Sequence, residues 1–209
     1  NSSINTYIMN FLSIDFSTDI GSLFVKSKNK TFNKTLQSDK LSNDLLMKQI
    51  LEFFEENNLK FDDISHIFVN QGPGNFSGLR GSLAIAKGLS LAKNLNLFGY
   101  NTFLWSCAQF FNKKDYIFSL IKFREKYFVN KFDKNLIKIS KVEEVNVDKI
   151  LKSYDNKFTI IPKNMIQYFD KKILKLNNLS IVDLDHNHLE FLQLKGLLDK
   201  ELIKPLYLS

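Results

Sequence analysis

The sequence predicts an α/β fold, in one domain or two small lobes, on three observations. From about residue 42 to 100 the text alternates helix, strand, helix and strand, the order that favours parallel pairing. Three short strand-like segments with tight turns come before it, which favours an antiparallel meander, so the two together make a mixed sheet with flanking helices. The texture then changes near residue 101: seven of the 8 glycines lie before residue 100 and only Gly196 lies after. The expected organisation is a first lobe over 9–101 and a smaller second lobe over 102–209, whose last helix is free to pack back on the first. Residues 1–8 (NSSINTYI) precede Met9 and the first strand pattern, and are read as an N-terminal extension or expression remnant.

Element by element, FLSIDF, IGSLFVKS and KTFNKTL read as the three strands of the meander, with the Ser-Thr-Asp turn after the first. A helix follows over about Ser42–Asn57, with Ser42 or Asn43 as N-cap and Asn57-Asn58 as its stop. SHIFVNQ is an apolar, buried strand that runs into the loop GPGNFSG, a long helix covers about Ser77–Asn94, and LFGY is a further strand. In the second half Phe103–Phe111 reads as helix, DYIFSLIKF and KYFVNKF as paired strands, and LIKIS as a third. Glu143–Tyr154 and His188–Lys200 read as helices, with FTIIP and LSIVDL as short strands between them.

Composition excludes several classes. The chain has 209 residues with 44% hydrophobic and 24% charged residues, and 20 Phe with only 8 Gly and 3 Pro argue against a disordered or collagen-like chain. No apolar run approaches the ~18–20 residues that span a bilayer. The N-terminus lacks a charged region followed by an apolar one, so no signal peptide is expected. Cys107, the single cysteine, forms no internal disulfide and reads as a core thiol beside Trp105 and Phe110. The net charge of +7 invites a nucleic-acid reading, but only Arg80 and Arg124 of the 29 basic residues are arginine. Arginine is the side chain that reads phosphate and base edges bidentately. The 27 lysines, spread among abundant Asn, Phe and Ile, read as the habit of an A+T-rich genome, and the two arginines become the informative exceptions.

The stretch Asn70-Gln71-Gly72-Pro73-Gly74-Asn75-Phe76-Ser77-Gly78-Leu79-Arg80-Gly81 leaves a strand and enters a helix, the setting in which backbone N–H groups cradle anions. It matches neither the Walker A nor the G-x-G-x-x-G spacing, since both need Gly where Ser77 stands, so a tight turn and an anion site remain equal readings. Arg80 opposes the dipole in the first helical turn at a cost of about 0.3–1 kcal/mol. Its guanidinium is expected either to find a specific planar partner or to point outward or towards a carboxylate. Asp15, Ser17 and Thr18 end the first strand, where they position a magnesium-bound phosphate or simply cap a turn.

Gly81, Ala84, Gly88 and Ala92 fall on one face of the second helix and permit close helix approach. On the helix at 42–57, Leu46, Met47, Ile50, Leu51, Phe53 and Phe54 cover an arc of roughly 160°, wider than the ~100° that one core needs, and Leu45 lies apart from it. A surface for a partner subunit is therefore expected from Leu46, Ile50, Phe53, Phe54, Gly81, Ala84, Ile85, Gly88 and Ala92. The alternative is a helix wedged between core and neighbour. The run Asp183-Leu-Asp185-His186-Asn187-His188-Leu-Glu190 fails as a calcium loop, because His188 stands where Gly is needed, and as a zinc site, because His66 is the only other histidine. A helix start capped by Asp185 or Asn187 is the better reading, and no metal site is expected.

The meander FLSIDFSTDIGSLFV, the helix beginning near Leu41 and the segment NQGPGNFSGLRGSLAIAKGLSLA resemble the TsaB (YeaZ) family. Asp15-Phe16-Ser17-Thr18 matches that family's Asp-Thr-Ser/Ala-Thr start. Gly72, Pro73, Gly74, Phe76, Gly78, Leu79 and Arg80 match its loop, with Asn75 and Ser77 as small polar exchanges. Arg124, within Lys122-Phe123-Arg124-Glu125-Lys126-Tyr127, echoes a later family segment in which Lys122 replaces Asp. Pro205-Leu206-Tyr207-Leu208-Ser209 echoes the family's closing Pro-x-Tyr-Leu-Arg. The resemblance is strong over about residues 10–100, thin over 101–200, and returns at the end.

It implies an actin/Hsp70-like (ribonuclease H-like) two-lobed fold with a degenerate second lobe. It also implies a non-catalytic, cytoplasmic subunit that supports a TsaD-like catalytic partner in threonylcarbamoyl modification of the adenosine beside the tRNA anticodon. A TsaE-like ATPase would belong to the complex, the isolated chain would form a homodimer through the same helices, and tRNA would be reached only through the partner. No catalytic residue and no intrinsic cofactor follow, with any nucleotide held at the partner interface and Asp15, Ser17 and Thr18 as remnants of a phosphate site. The alternative is a small nucleotide-binding ATPase that uses Asp15 and the Gly72–Gly78 loop, and a third reading is direct tRNA binding by scattered lysines.

Overall fold

The computed structural model describes residues 9–37, 42–201 and 203–208, which fall into two compact units. One contains the chain up to Tyr100 together with the segment from Leu198 onward, and the other is Asn101–Leu197. The expected extension at 1–8 and the helix start at Leu41 lie outside the described residues.

In the first unit, β1 (Phe11–Asp15), β2 (Ile20–Ser27) and β3 (Lys30–Gln37) form the antiparallel meander. β1 then pairs in parallel with β4 (His66–Asn70), and β4 with β5 (Asn96–Tyr100), which gives the order β3-β2-β1-β4-β5. Two-residue alternation puts Leu12, Ile14, Leu23, Val25, Ile67 and Val69 into one core. Helix α1 (Asn43–Glu56) adds Leu46, Ile50, Phe53 and Phe54 to it, and α2 (Phe76–Lys93) adds Leu83, Ala86 and Leu89. Each of the larger side chains contributes about 1.5–3 kcal/mol on burial, so this shared core fixes both helices to the sheet. Ser42 caps α1 by accepting a hydrogen bond from the Leu45 N–H at 3.3 Å, and α2 stops at Asn94 in the left-handed region. The other sheet face carries Phe11, Phe24, Phe68 and Phe98 in ring contact, and Tyr100, whose hydroxyl lies 3.0 Å from Ser13 Oγ.

The second unit begins with α3 (Thr102–Cys107) and a short 3₁₀ turn over Ala108–Phe110. Its sheet has the order β10-β9-β6-β7-β8. β6 (Tyr116–Phe123) and β7 (Lys126–Asp133) form the expected hairpin, and β9 (Thr159–Pro162) and β10 (Leu179–Val182) add in parallel. Two expectations fail at the other edge. LIKIS forms no strand, only the single bridge Phe132↔Lys138. The residues beside β7 are instead β8 (Glu143–Val145), where the sequence predicts the start of a helix. That helix, α4 (Val147–Ser153), starts later because Asn146 Oδ1 accepts the Lys149 N–H at 2.8 Å.

The last helix is shorter than expected. α5 spans His188–Leu194 and ends before Gly196, whose φ of +71° breaks the helical path. It packs inside the second unit, where Phe111 and Phe191 meet edge to face. The segment after it is what joins the first unit: Gly99 and Asp199 exchange backbone hydrogen bonds of 2.7 and 2.9 Å, and Ile203 enters the first core. Residues from Leu198 onward, read above as second lobe, thus close the first unit's fold.

Candidate functional site

Parallel pairing of β1 and β4 brings their C-terminal ends to one edge of the sheet, so Asp15 and Asn70 meet there although 55 residues apart. Asp15 Oδ1 accepts three hydrogen bonds, from the Ser17 N–H at 3.0 Å, Ser17 Oγ at 2.7 Å and Asn70 Nδ2 at 3.0 Å. Asn70 Oδ1 accepts the Gly72 N–H at 2.8 Å, which sets the start of the loop. Burial pushes the Asp15 carboxyl above its ordinary 3.8, while the bonds from Ser17 and Asn70 pull the other way. The Tyr100 phenol is raised well above 10 by the same burial and then by the Asp15 charge.

The Gly72–Gly78 loop is seated directly on the Asp15–Ser17 segment. Gly72 has φ of +110° and precedes a cis bond to Pro73. A Cβ on Gly74 would lie on the Ser17 backbone, 2.7 Å from its carbonyl carbon, and one on Gly78 would come within 3.0 Å of the Phe16 carbonyl oxygen. The two loops therefore pack backbone to backbone, and the donors around Asp15 are occupied with the protein's own acceptors. Thr18 turns its Oγ1 to the Ile20 carbonyl at 2.9 Å rather than to this cluster. Asn70, which opens the loop stretch but receives no role from the sequence, holds the cluster together, and its signal is a polar residue closing an otherwise apolar strand. Gln71 beside it, likewise given no role by the sequence, ties down the final segment by accepting the Leu206 N–H at 2.6 Å and donating from Nε2 to the Lys204 carbonyl at 3.0 Å.

Arg80 finds its planar partner in aromatic rings rather than in a carboxylate. Its guanidinium carbon stands 3.7 Å from the centre of the Phe76 ring, and Nε donates to the Tyr207 hydroxyl at 3.2 Å. Phe76 and Tyr207 stack at 5.3 Å, so the α2 start and the final segment form one layered group. A groove of about 340 Å³ runs beside it, lined by Arg80, Leu83, Ala84, Lys87, Pro205 and Tyr207. Ser77 is exposed in the first turn of α2.

Five of the nine residues expected on the partner surface are buried within the chain itself. Leu46, Ile50, Phe53 and Phe54 are all buried in the first core, because the wide apolar arc of α1 is taken up by both the sheet and α2. Gly81 is buried as well, since a Cβ there would strike the Asn43 side-chain oxygen, and Ile85 is half-buried. Ala84, Gly88 and Ala92 are exposed, and with them Leu91 (86%) and, on α1, Leu45 and Leu51.

Elsewhere, Arg124 occupies the β6–β7 turn with φ of +56° and lies over the Phe123 ring at 5.2 Å. Lys122 donates to the Tyr168 carbonyl. Asp185 accepts the Asn187 N–H at 2.9 Å, turning the chain into α5, while Asn187 makes no side-chain cap bond. His186 packs against Trp105 and is held neutral to about pH 4 by desolvation. Among the described residues no group of three His, Cys, Asp or Glu side chains is placed to hold a metal. Burial pushes the Cys107 thiol up to about 12, and it bonds to the Phe103 carbonyl. No helix among the described residues is long and apolar enough to cross a membrane.

Two successive units, each a five-stranded mixed sheet with helices packed on it, define an actin-like two-lobed α/β protein. A family model described as TsaD, tRNA N6-adenosine threonylcarbamoyltransferase, matches residues 36–119. The tRNA threonylcarbamoyladenosine biosynthesis protein TsaB of Buchnera aphidicola subsp. Baizongia pistaciae is 31% identical over 102 residues, 48% of this chain and 46% of that protein. The TsaB of Buchnera aphidicola subsp. Schizaphis graminum is 29% identical over 91 residues, 44% of this chain and 43% of that one. The matched part thus spans about half the length of these curated relatives. The solved structure of YeaZ from Pseudomonas aeruginosa superposes with a TM-score of 0.68 at 15% identity, over 96% of this chain and 100% of that one. The chain is thus similar in sequence to TsaB proteins over about half its length, and similar in fold to YeaZ from Pseudomonas aeruginosa.

Proposed function

We propose that this chain is an accessory, non-catalytic subunit of tRNA threonylcarbamoyladenosine biosynthesis, and that it docks a TsaD-like catalytic partner through the exposed face of α2. The observation that carries the reading is Gly88. It stands in mid-helix, exposed, with nothing within 4 Å of where a Cβ would be. Glycine there costs the helix about 1 kcal/mol relative to alanine, and no contact within the chain requires it. Flanked by exposed Ala84, Leu91 and Ala92, it suits a helix of another subunit that approaches closely, and an apolar surface of this kind marks an interaction site. The same face would serve self-association of the isolated chain, and a TsaE-like ATPase would join the complex with the partner.

The ATPase alternative has less support. The loop that would receive a phosphate rests on the Ser17 backbone, and Asp15 Oδ1 is already bonded to Ser17 and Asn70. The test is co-purification with a TsaD-like partner, with calorimetric titration of the isolated chain with Mg-ATP beside it. Ala84→Trp should abolish co-purification while the far-UV spectrum stays unchanged, and no micromolar heat of Mg-ATP binding should appear. Retained pairing, or micromolar nucleotide binding by the chain alone, would sink the corresponding half of the reading.

A further inference from the structure

The positive charge is divided unequally between the two units. Asn101–Leu197 carries 17 Lys+Arg against 11 Asp+Glu, a net of +6, whereas the remaining residues carry 12 against 11, a net of +1. A genome-wide preference for lysine would load both units alike. It does not explain a surplus confined to one of them.

Within the second unit the lysines gather where β6 begins. The Asn112 N–H bonds to the Lys134 carbonyl at 2.7 Å, which sets Lys113 and Lys114 beside the turn that follows β7. Lys131 lies directly across from Phe118 in the β6–β7 ladder, Lys138 bridges to Phe132, and the Phe118 N–H bonds to the Phe158 carbonyl, which brings Lys157 alongside. Three of these ammonium groups lie over aromatic rings. Lys131 Nζ is 4.2 Å from the Tyr116 ring centre and 5.4 Å from that of Phe118. Lys157 Nζ is 5.2 Å from Phe118 and 5.0 Å from Tyr154, and Lys114 Nζ is 4.7 Å from Phe158.

No carboxylate pairs with the three ring-bound lysines of this strip among the described residues, although Asp115 lies between Lys114 and Tyr116. Seven other lysines among the described residues do form ion pairs. Asp133 is occupied with the N–H groups of Asn135 and Ile137, and Asp155 with Asn177. Tyr116 is 53% exposed although Lys131 covers one face of its ring, so the residue still offers surface beside the cations.

We propose that this strip binds an RNA strand, with phosphates on Lys114, Lys131 and Lys157 and an unpaired base stacked on Tyr116. Cations interleaved with open aromatic rings suit a strand that offers phosphates and base faces in alternation. Lysine meets phosphate as a point charge and reads no base edge, so the binding is tolerant of sequence and sensitive to salt. An acidic peptide would satisfy the charges but leave the ring unused. The proposal concerns the second unit alone and stands independently of the docking face on α2.

The test uses the full chain without any partner, titrated into a fluorescein-labelled tRNA transcript and read by anisotropy from about 50 to 300 mM KCl. The triple variant Lys114→Gln, Lys131→Gln, Lys157→Gln should bind at least about tenfold more weakly at low salt. Losing three single-strand phosphate contacts should also flatten the log–log salt slope by about 2. Tyr116→Ala should lose about fivefold, the low end for one stacked base. A control with the same charge change in the first unit, Lys30→Gln, Lys60→Gln, Lys200→Gln, should lose less than about threefold. An equal loss in the control reduces the effect to net charge and overturns the site. So does the absence of any complex at about 50 mM KCl, or binding to anionic phosphatidylserine vesicles without binding to the transcript. Co-purification with a TsaD-like partner should be unchanged in the triple variant, which keeps failure here separate from failure of the docking face.

Discussion

Asn70→Ala removes the residue that joins the two loops of the first unit. The wild-type side chain, fully buried, donates to Asp15 Oδ1 at 3.0 Å and to Ser17 Oγ at 3.3 Å, and accepts the Gly72 N–H at 2.8 Å. A hydrogen bond to a charged group contributes about 1.5–3 kcal/mol, and an orphaned buried N–H costs about 1–3 kcal/mol. Because the two effects share one site and are not simply additive, the expected loss is about 3–5 kcal/mol. With a urea slope of about 2 kcal/mol/M, the unfolding midpoint followed by far-UV circular dichroism should fall by about 1.5–2.5 M. Combining the variant with Asp15→Asn should recover at least about 1 kcal/mol, since the group left short of a donor is then neutral. A loss below about 1 kcal/mol, or strict additivity in the double variant, would refute the assignment of Asn70 as the joint.

Other consequences are open to direct measurement. The folded-state Asp15 carboxyl titrates above 3.8, so the native state keeps a proton that the unfolded chain has lost. Its contribution is therefore most favourable below 3.8 and declines as pH rises towards the raised value. The stability of wild type relative to Asp15→Asn should fall across that interval in urea titrations at successive pH values, and parallel profiles would contradict it. Cys107, with its thiol pushed up to about 12, should resist iodoacetamide in the native protein at pH 8 and react only on unfolding, as read by intact mass. Gly88→Ala should raise the stability of the isolated chain by about 0.5–1 kcal/mol, because the position is exposed and helical with space for a methyl group. A destabilised variant would mean that something in the chain needs the glycine.

Most of the first unit is legible in the sequence because its periodicities are clean. The meander alternates in twos, Ser42 caps α1, and the Gly-Pro-Gly loop marks the passage from β4 to α2. What sequence patterns miss is where a side chain's partners come from. The apolar arc of α1 is wide because Leu46, Ile50, Phe53 and Phe54 face a sheet and a second helix together, which from spacing alone looks like a surplus left for a partner. Glu143-Glu144-Val145 carries helix-favouring residues, yet it pairs with β7 because the capping Asn146 places the helix after it. Arg80 could be singled out by type, but its ring partner Tyr207 is 127 residues away, a distance that only the return of the final segment closes. The charge total carries a related lesson: +7 summed over the whole chain hides its concentration in the second half, which appears once the residues are divided near position 101.

The docking of a catalytic partner on α2 is tested most directly by titrating a labelled TsaD-like subunit with wild type and with Gly88→Trp, each checked for an unchanged unfolding midpoint. An indole at an open, exposed position leaves this chain's own packing intact while holding an approaching helix away. A dissociation constant at least about a hundredfold weaker for the variant, roughly 2.7 kcal/mol, is the predicted result. Equal affinity for the two proteins would place the partner elsewhere and contradict the account.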